Sequence, residues 1–343
     1  MSRWAVVLAG GIGSRFWPLS TPARPKQLLP LLTEKPLLRE TVDRLLPLVD
    51  PGHILILTNA SLVEPISAAL PDVPRANLIA EPKPAGTAAA LTWAALEISR
   101  RDGDSAVMIS VHADWAIPDA AGFRKVLGVA ESVALDNSAL VTVGVRPTRP
   151  ETGFGYIEPE GDASAGVKVR RFIEKPDASR ARELVAAGNL WNSGIFVWRV
   201  GDFLSEVQAL TPEISPALAG APRTDREKFF SSVRSISVDH GVLERSKRVM
   251  VAAGEFGWDD IGTWPALARS RALDASGNAA NGKVHLVDSS NNVVHSEHGT
   301  VVMYGVSDLV VVVRDGMTLV TTAEKAADLK TLVDSLPQEI KDA

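Results

Sequence analysis

Two cations follow a run of glycines near the start of the chain. Leu8-Ala9-Gly10-Gly11-Ile12-Gly13-Ser14-Arg15 continues through Phe16-Trp17-Pro18-Leu19-Ser20 to Pro25-Lys26-Gln27. Glycine lets a backbone turn tightly and bring its N–H groups close to an anion. Arg15 and Lys26 supply the positive charge that polyphosphate oxygens require. Prolines at positions 18, 22 and 25 keep this segment from becoming an ordinary helix, so it is expected to be a shaped loop. On such a loop Lys26 is expected to matter for chemistry and to be dispensable for folding. Further along the chain, Asp114 offers the hard oxygen that Mg²⁺ prefers, one or two carboxylates being completed by substrate phosphates. An aspartate after a strand also serves as a turn former or helix cap.

Two familiar glycine-loop chemistries do not fit. A dinucleotide fingerprint calls for a small residue where Phe16 stands, and a P-loop calls for Gly-Lys followed by Ser or Thr. A bare strand-to-helix turn leaves the two spaced cations unexplained. If the phosphates held by the loop belong to a nucleotide, Glu81, in Glu81-Pro82-Lys83-Pro84-Ala85-Gly86-Thr87, bears on its base. Guanine presents N1–H and an exocyclic amine side by side, and a carboxylate accepts from both. Thymine and uracil present an N–H beside a carbonyl, which suits an amide side chain better. A glutamate therefore favours guanine, the alternative being a surface glutamate before a turn.

Elements must bring these residues together. Trp4-Ala5-Val6-Val7 reads as a buried strand entering the glycine loop, with further strands at 53–58, 77–80, 106–111 and 139–143. Helices are expected at 36–46 and 87–101, and Ser61 with Glu64 reads as a capping box for a short helix. Apolar strands alternating with helices imply a parallel sheet covered on both faces. Ligands bind beyond the carboxyl ends of such strands. The glycine loop, Glu81–Thr87 and His112-Ala113-Asp114 all follow strands and should converge on one edge. Next come a glycine- and proline-punctuated loop at 147–158 that runs into a strand, an alternating strand at 167–173 hairpin-paired with it, a helix near 179–187 and a strand at 248–252. From about Pro265 the composition shifts. A turn-rich boundary at 277–282 precedes short β runs at 284–287, 292–295, 300–303 and 309–313, and a last helix at 323–336. The expected fold is α/β: a Rossmann-like, mixed but mainly parallel sheet with helices on both faces, plus a small C-terminal β-rich domain. The expected division is 1–265 and 266–343. His285, His295 and His298 are read as structural or surface residues.

The chain has 343 residues, no cysteine and a net charge of -5. Disulfides and thiolate metal sites are excluded, and nothing basic invites nucleic acid. No long uncharged apolar span exists, so neither a signal peptide nor a membrane anchor is expected, and a cytoplasmic enzyme is the default.

The stretch from Leu8 to Ser20 with Pro25-Lys26-Gln27 resembles the signature of nucleotidyl-sugar pyrophosphorylases. Its Trp17-Pro18-Leu19-Ser20 and Pro25-Lys26-Gln27 portions resemble the mannose-1-phosphate guanylyltransferases in particular. Glu151-Thr152-Gly153-Phe154-Gly155-Tyr156, Phe172-Ile173-Glu174-Lys175-Pro176, Trp191-Asn192-Ser193-Gly194 and Gly257-Trp258-Asp259-Asp260-Ile261-Gly262-Thr263-Trp264 resemble further family segments, in the family's order. The resemblance spans essentially the whole chain. It implies a GT-A-like catalytic domain and a short left-handed β-helix that often serves dimerisation, hence a homodimer. No separate isomerase domain of the kind some longer relatives carry is expected after Ala343.

The resemblance also implies site residues. Leu8, Gly10, Gly11, Gly13, Ser14, Glu81, Gly86 and Thr87 would bind nucleotide; the family has asparagine where Gly86 stands. Gly155, Glu174 and Asn192 would bind sugar, and Lys175 its phosphate. Asp114 and Asp260 would bind Mg²⁺, with Asp259 the competing neighbour. Arg15 and Lys26 would be catalytic. The implied reaction takes GTP and mannose 1-phosphate to GDP-mannose and pyrophosphate. Alternatives are another base or hexose, or a non-catalytic nucleotide-sugar binder.

Overall fold

The computed structural model describes residues 1–11, 13–220 and 225–341; Ile12 of the glycine run lies outside them. The chain forms two compact units. The first comprises Met1–Gly10, Val42–His112 and Ile117–Trp258, the second Gly11–Thr41, Ala113–Ala116 and Asp259–Ala343.

The first unit is built on a nine-stranded sheet. Its strands are β1 (Arg3–Leu8), β2 (Ile54–Asn59), β3 (Leu78–Glu81), β4 (Val107–His112), β5 (Leu140–Val145), β6 (Tyr156–Pro159), β7 (Val167–Ile173), β8 (Leu190–Arg199) and β9 (Val249–Gly254), in the order β3-β2-β1-β4-β8-β5-β9-β7-β6. The expected parallel order holds from β3 to β4. Beyond β4 the sheet is mixed: β8 lies antiparallel between β4 and β5, β9 runs parallel to β5, and the β6–β7 hairpin is antiparallel. Strand direction is not legible in an apolar run, because a strand buried on both faces reads the same either way. Trp191-Asn192-Ser193-Gly194 lies within β8.

Helices α1 (Leu37–Leu45), α2 (Val63–Ala69), α3 (Gly86–Asp102), α4 (Ala120–Asn137), α5 (Ala178–Ala186) and α6 (Val200–Leu210) alternate with these strands. Alanine-rich α3 buries Ala88 to Leu96 and Ile98 in the main core with Trp4, Trp198, Phe203, Phe229 and Phe230. The expected capping box fails. Asn59, not Ser61, accepts the Leu62 N–H at the start of a short 3-10 turn, and Glu64 pairs with Arg75.

The second unit holds a four-stranded sheet of β10 (Ala279–Val287), β11 (Val293–Tyr304), β12 (Leu309–Arg314) and β13 (Met317–Thr322). The first three strands pair in parallel and β13 returns antiparallel. The two runs at 292–295 and 300–303 are one strand, since the polar Ser296-Glu297-His298 interruption stays extended. The turn at 277–282 also shortens, with Ala279 already in β10. The last helix is broken into Ala323–Ala326 and Leu329–Ser335. The core of this unit joins Phe16, Trp17, Leu19, Leu29, Leu31 and Leu37 of the early chain to Ile261, Trp264, Leu267, Val293, Val310, Val312 and Leu329.

Candidate active site

Parallel pairing of β1 with β2 and β4, and of β2 with β3, places the carboxyl ends of these strands on one edge of the first unit. Leu8 is the last residue of β1 and stands opposite Leu57 and His112. Glu81 ends β3. A Cβ built on Gly10 would lie 4.0 Å from Glu81 Oε1, so a glycine leaves this carboxylate open. Among the described residues nothing donates to the Glu81 carboxylate. Burial pushes its pKa up to about 7, as expected for a carboxyl group taken from water without compensating donors.

Gly86 has φ +79°, and a Cβ there would stand 2.3 Å from the Ile236 carbonyl oxygen. The neighbouring backbone explains why glycine stands there. The Ala88 N–H donates to Ile236 O, and Thr87 Oγ1 accepts the Val238 N–H at 2.9 Å. Thr87 thus ties the start of α3 to residues 236–238.

A second cluster in the same unit contains Gly155, Glu174 and Asn192. The Asn192 N–H donates to Gly155 O at 2.8 Å, and a Cβ on Gly155 would lie 2.8 Å from Glu174 Oε2. Lys175, at φ +41°, is paired at 2.8 Å with Glu174 and exposed. The cluster includes a residue given no role from sequence, Asp239. Its Oδ1 accepts from Asn192 Nδ2 at 2.8 Å. Burial raises its pKa, the Asn192 hydrogen bond opposes this, and Glu174 adds to it. Asp239 opens a π-helical turn, Asp239–Leu243, a local distortion often found at functional positions. Ser237-Val238-Asp239 carries no spacing signal; only the fold brings it to Asn192.

The second unit brings Arg15, Lys26, Asp114 and Asp260 together. Gly13 has φ +72° and caps the short turn Ser14–Phe16. Ser20 Oγ donates to Gly13 O at 2.5 Å. A Cβ on Gly13 would stand 2.4 Å from Lys26 Cβ, so glycine is needed for the lysine stem to pass. Gly11, by contrast, is open. Lys26 Nζ donates to Asp114 Oδ2 at 3.0 Å and to Asp260 O at 2.8 Å, and lies 5.6 Å from the Phe16 ring centre. Lys26 is only 4% exposed. The loop that carries it is not a loose surface segment, since Phe16, Leu29 and Leu31 on either side pack into the core of this unit.

Arg15 remains exposed. A Cβ on Gly262 would contact both Asp260 Oδ2 and Arg15 Nη1, at 2.7 and 3.4 Å, so the Gly262 backbone runs close beside both groups. Burial raises the Asp260 pKa; Lys26 and Arg15 oppose this, while Asp259 adds to it. The adjacent aspartates differ. Asp259 accepts from Ile261 N with one oxygen and from the Arg269 guanidinium with the other. Asp260 Oδ1 accepts from Gly262 N. Among the described residues no group of three or more His, Asp or Glu could hold a metal. Asp114 and Asp260 both meet Lys26, Asp114 through its carboxylate and Asp260 through its backbone carbonyl.

The three histidines of the C-terminal strands do not form a ligand set. His295 is buried against Arg271, its Nδ1 lying 3.2 Å from Nη2, while His298 lies near Asp315. No helix among the described residues is long and apolar enough to cross a membrane.

A family model described as nucleotidyl transferase matches residues 4–277, and one described as a MannoseP isomerase/GMP-like beta-helix domain matches residues 282–336. The mannose-1-phosphate guanylyltransferase of Klebsiella pneumoniae is 35% identical over 97% of this chain and 74% of its own. The xanthan biosynthesis protein XanB of Xanthomonas campestris pv. campestris is 33% identical over 96% of this chain and 72% of its own. A crystal structure described as a mannose-1-phosphate geranyltransferase from Thermus thermophilus superposes with a TM-score of 0.89 at 33% identity, covering 97% of this chain and 99% of that one. With a glycine loop that sets a buried lysine between two aspartates, and with this likeness along nearly its whole length, the chain belongs to the nucleotidyl transferase family, among the mannose-1-phosphate guanylyltransferases.

Proposed function

We propose that the chain transfers GMP from GTP to mannose 1-phosphate, forming GDP-mannose and releasing pyrophosphate. The observation that carries this reading is Lys26, held between the Asp114 carboxylate and the Asp260 carbonyl behind a glycine loop that also bears Arg15. A phosphate oxygen of the sugar phosphate attacks the α-phosphorus of GTP, and the bond from that phosphorus to the β-phosphate oxygen breaks. The attacking phosphate is already anionic near neutral pH, so no general base is needed. Positioning and charge stabilisation suffice. Arg15 and the N–H groups of Gly11, Gly13 and Ser14 hold the departing phosphates, and Lys26 answers charge growing at the α-phosphoryl. Leu8 and Gly10 approach the nucleotide with their backbone. Glu81 accepts from the guanine N1–H and amine, beside Gly86 and Thr87.

Gly155, Glu174 and Asn192 bind the sugar hydroxyls, supported by Asp239, and Lys175 meets the sugar phosphate. The donor set of Asp114 and Asp260, two hard carboxylates, fits Mg²⁺, which would neutralise phosphate charge when bound. We further propose residues 1–265 as the catalytic domain and 266–343 as a β-helix-like domain, in line with family matches at 4–277 and 282–336. A cytoplasmic homodimer is proposed. Exposed Val287, Val302 and Tyr304 share one face of the β10–β11 pair and offer apolar surface for a second copy.

The test is pyrophosphate release by purified protein with Mg²⁺, mannose 1-phosphate and each NTP in turn. GTP should be preferred, and preference for another NTP would remove the guanine assignment from Glu81. Binding of GDP-mannose without turnover in any NTP would replace the enzyme by a non-catalytic binder.

A further inference from the structure

Within the second unit, side chains from the C-terminal strands hold the glycine-loop segment by its backbone and its charges. Arg314, at the end of β12, donates through Nη1 to Pro18 O at 2.8 Å and to Leu19 O at 3.3 Å. Glu297, on β11, accepts from Arg24 in bidentate geometry at 2.9 and 2.7 Å, and its Oε2 lies 3.9 Å from Arg314 Nε. Arg271 donates through Nε and Nη2 to Leu31 O at 3.0 and 2.8 Å. Three points of the early segment are thus fixed at residues 18–19, 24 and 31. Arg15 precedes the first point, and Lys26 lies between the second and third. A guanidinium on a carbonyl and a bidentate guanidinium–carboxylate pair are directional, charge-assisted contacts, stronger and more specific than apolar packing. They fix register as well as proximity.

We infer that Arg314 and the Glu297–Arg24 pair are positioning residues for nucleotidyl transfer, so that the C-terminal strands set the catalytic geometry of Arg15 and Lys26. This role rests on the proposed action of Arg15 and Lys26 on phosphate. Among the described residues the Lys26 ammonium donates to two groups, Asp114 Oδ2 and Asp260 O. Its position therefore depends on the path of the backbone that carries it. A displacement of that backbone by about 1 Å would cost roughly a hundredfold in rate.

The test is steady-state pyrophosphate release together with thermal unfolding. Arg314→Ala should lower kcat by about tenfold to a hundredfold with little change in either KM, and Arg314→Lys should recover part of the loss. Arg24→Gln and Glu297→Gln should each lower kcat, and the double variant should lose less than the two single losses combined. Asn278→Ala is the control. Asn278 binds Ser289 O and Asn292 inside the C-terminal domain, away from the early segment. It should lower thermal stability while leaving kcat unchanged. An active wild type with unaltered kcat in Arg314→Ala would overturn the inference. So would an Asn278→Ala variant that loses kcat in step with stability. If Arg314→Ala does not fold, the Arg24–Glu297 pair decides, and single losses in kcat that simply add in the double variant overturn the inference. Wild-type protein inactive with every NTP would instead refute the transfer reaction itself.

Discussion

Replacement of Lys26 by methionine isolates charge from packing. Lys26 is 4% exposed, and its stem passes Gly13 so closely that a Cβ there would stand 2.4 Å from Lys26 Cβ. Methionine is of similar length and flexible enough to fill that channel; alanine would leave a cavity and confuse folding with catalysis. The ammonium makes two charge-assisted hydrogen bonds, to Asp114 at 3.0 Å and to Asp260 O at 2.8 Å. Hydrogen bonds to charged groups contribute about 1.5–3 kcal/mol to stability. The side chain of Asp114 is 34% exposed and can rehydrate, so the stability loss should fall near the lower end. The catalytic loss should be larger. Removing one preorganised donor from a site of growing negative charge costs about 2.7–4 kcal/mol, or roughly 10²–10³ in kcat. The assay is pyrophosphate release at saturating GTP and mannose 1-phosphate, at a temperature well below the unfolding midpoint. The KM values should change little, because the interaction strengthens only as charge develops. A folded Lys26→Met protein with kcat within about threefold of wild type would refute the assigned role, given the size expected of such a donor.

The Glu81 carboxyl, with a pKa of about 7 when no donors meet it, should make GTP binding pH-dependent. The charged form accepts from guanine, so KM for GTP should fall as pH rises from 6 towards 8. A flat profile would refute this, and Glu81→Gln should remove the dependence. The same raised pKa means that Glu81 lowers the stability of the ligand-free protein as pH rises from the unfolded carboxylate range through about 7. Gly13→Ala should inactivate the enzyme by pushing against Lys26 and straining a backbone at φ +72°, and unchanged kcat in that variant would contradict the close approach. Asp239→Ala should raise KM for mannose 1-phosphate more than KM for GTP, since Asp239 holds Asn192 Nδ2; equal effects would place it outside the sugar site. Burial and the neighbouring Arg271 hold His295 down to about 4. A histidine kept neutral contributes stability above its unfolded pKa that is lost as pH falls from about 6.5 through about 4, on the order of 3 kcal/mol. Acid unfolding of His295→Gln should begin at lower pH than that of wild type, and an identical profile would contradict this account.

The residue types proposed to carry the chemistry were legible in the sequence by itself. Glycines before Arg15 and Lys26, an apolar strand ahead of them, and carboxylates after later strands follow from short-range rules. Those rules are turn freedom, charge, and the periodicity of a buried strand. The β1-β2-β3-β4 edge was likewise predictable, because alternating strands and helices leave few topologies. The direction of β8 was not, since apolar runs carry no polarity. The different surroundings of Asp259 and Asp260 were not legible either, with Arg269 and Ile261 N engaging Asp259 and Gly262 N engaging Asp260. Asp239 reaches Asn192, its partner across 47 positions, only through folding. The grouping of Gly11–Thr41 with Asp259–Ala343 likewise comes from folding. Long-range packing of Phe16, Trp17 and Leu19 against Trp264, Val310 and Leu329, with Arg314 on the Pro18 carbonyl, decided that grouping. Burial and directional hydrogen bonds are properties of the assembled chain, so they could be read only from the tertiary structure.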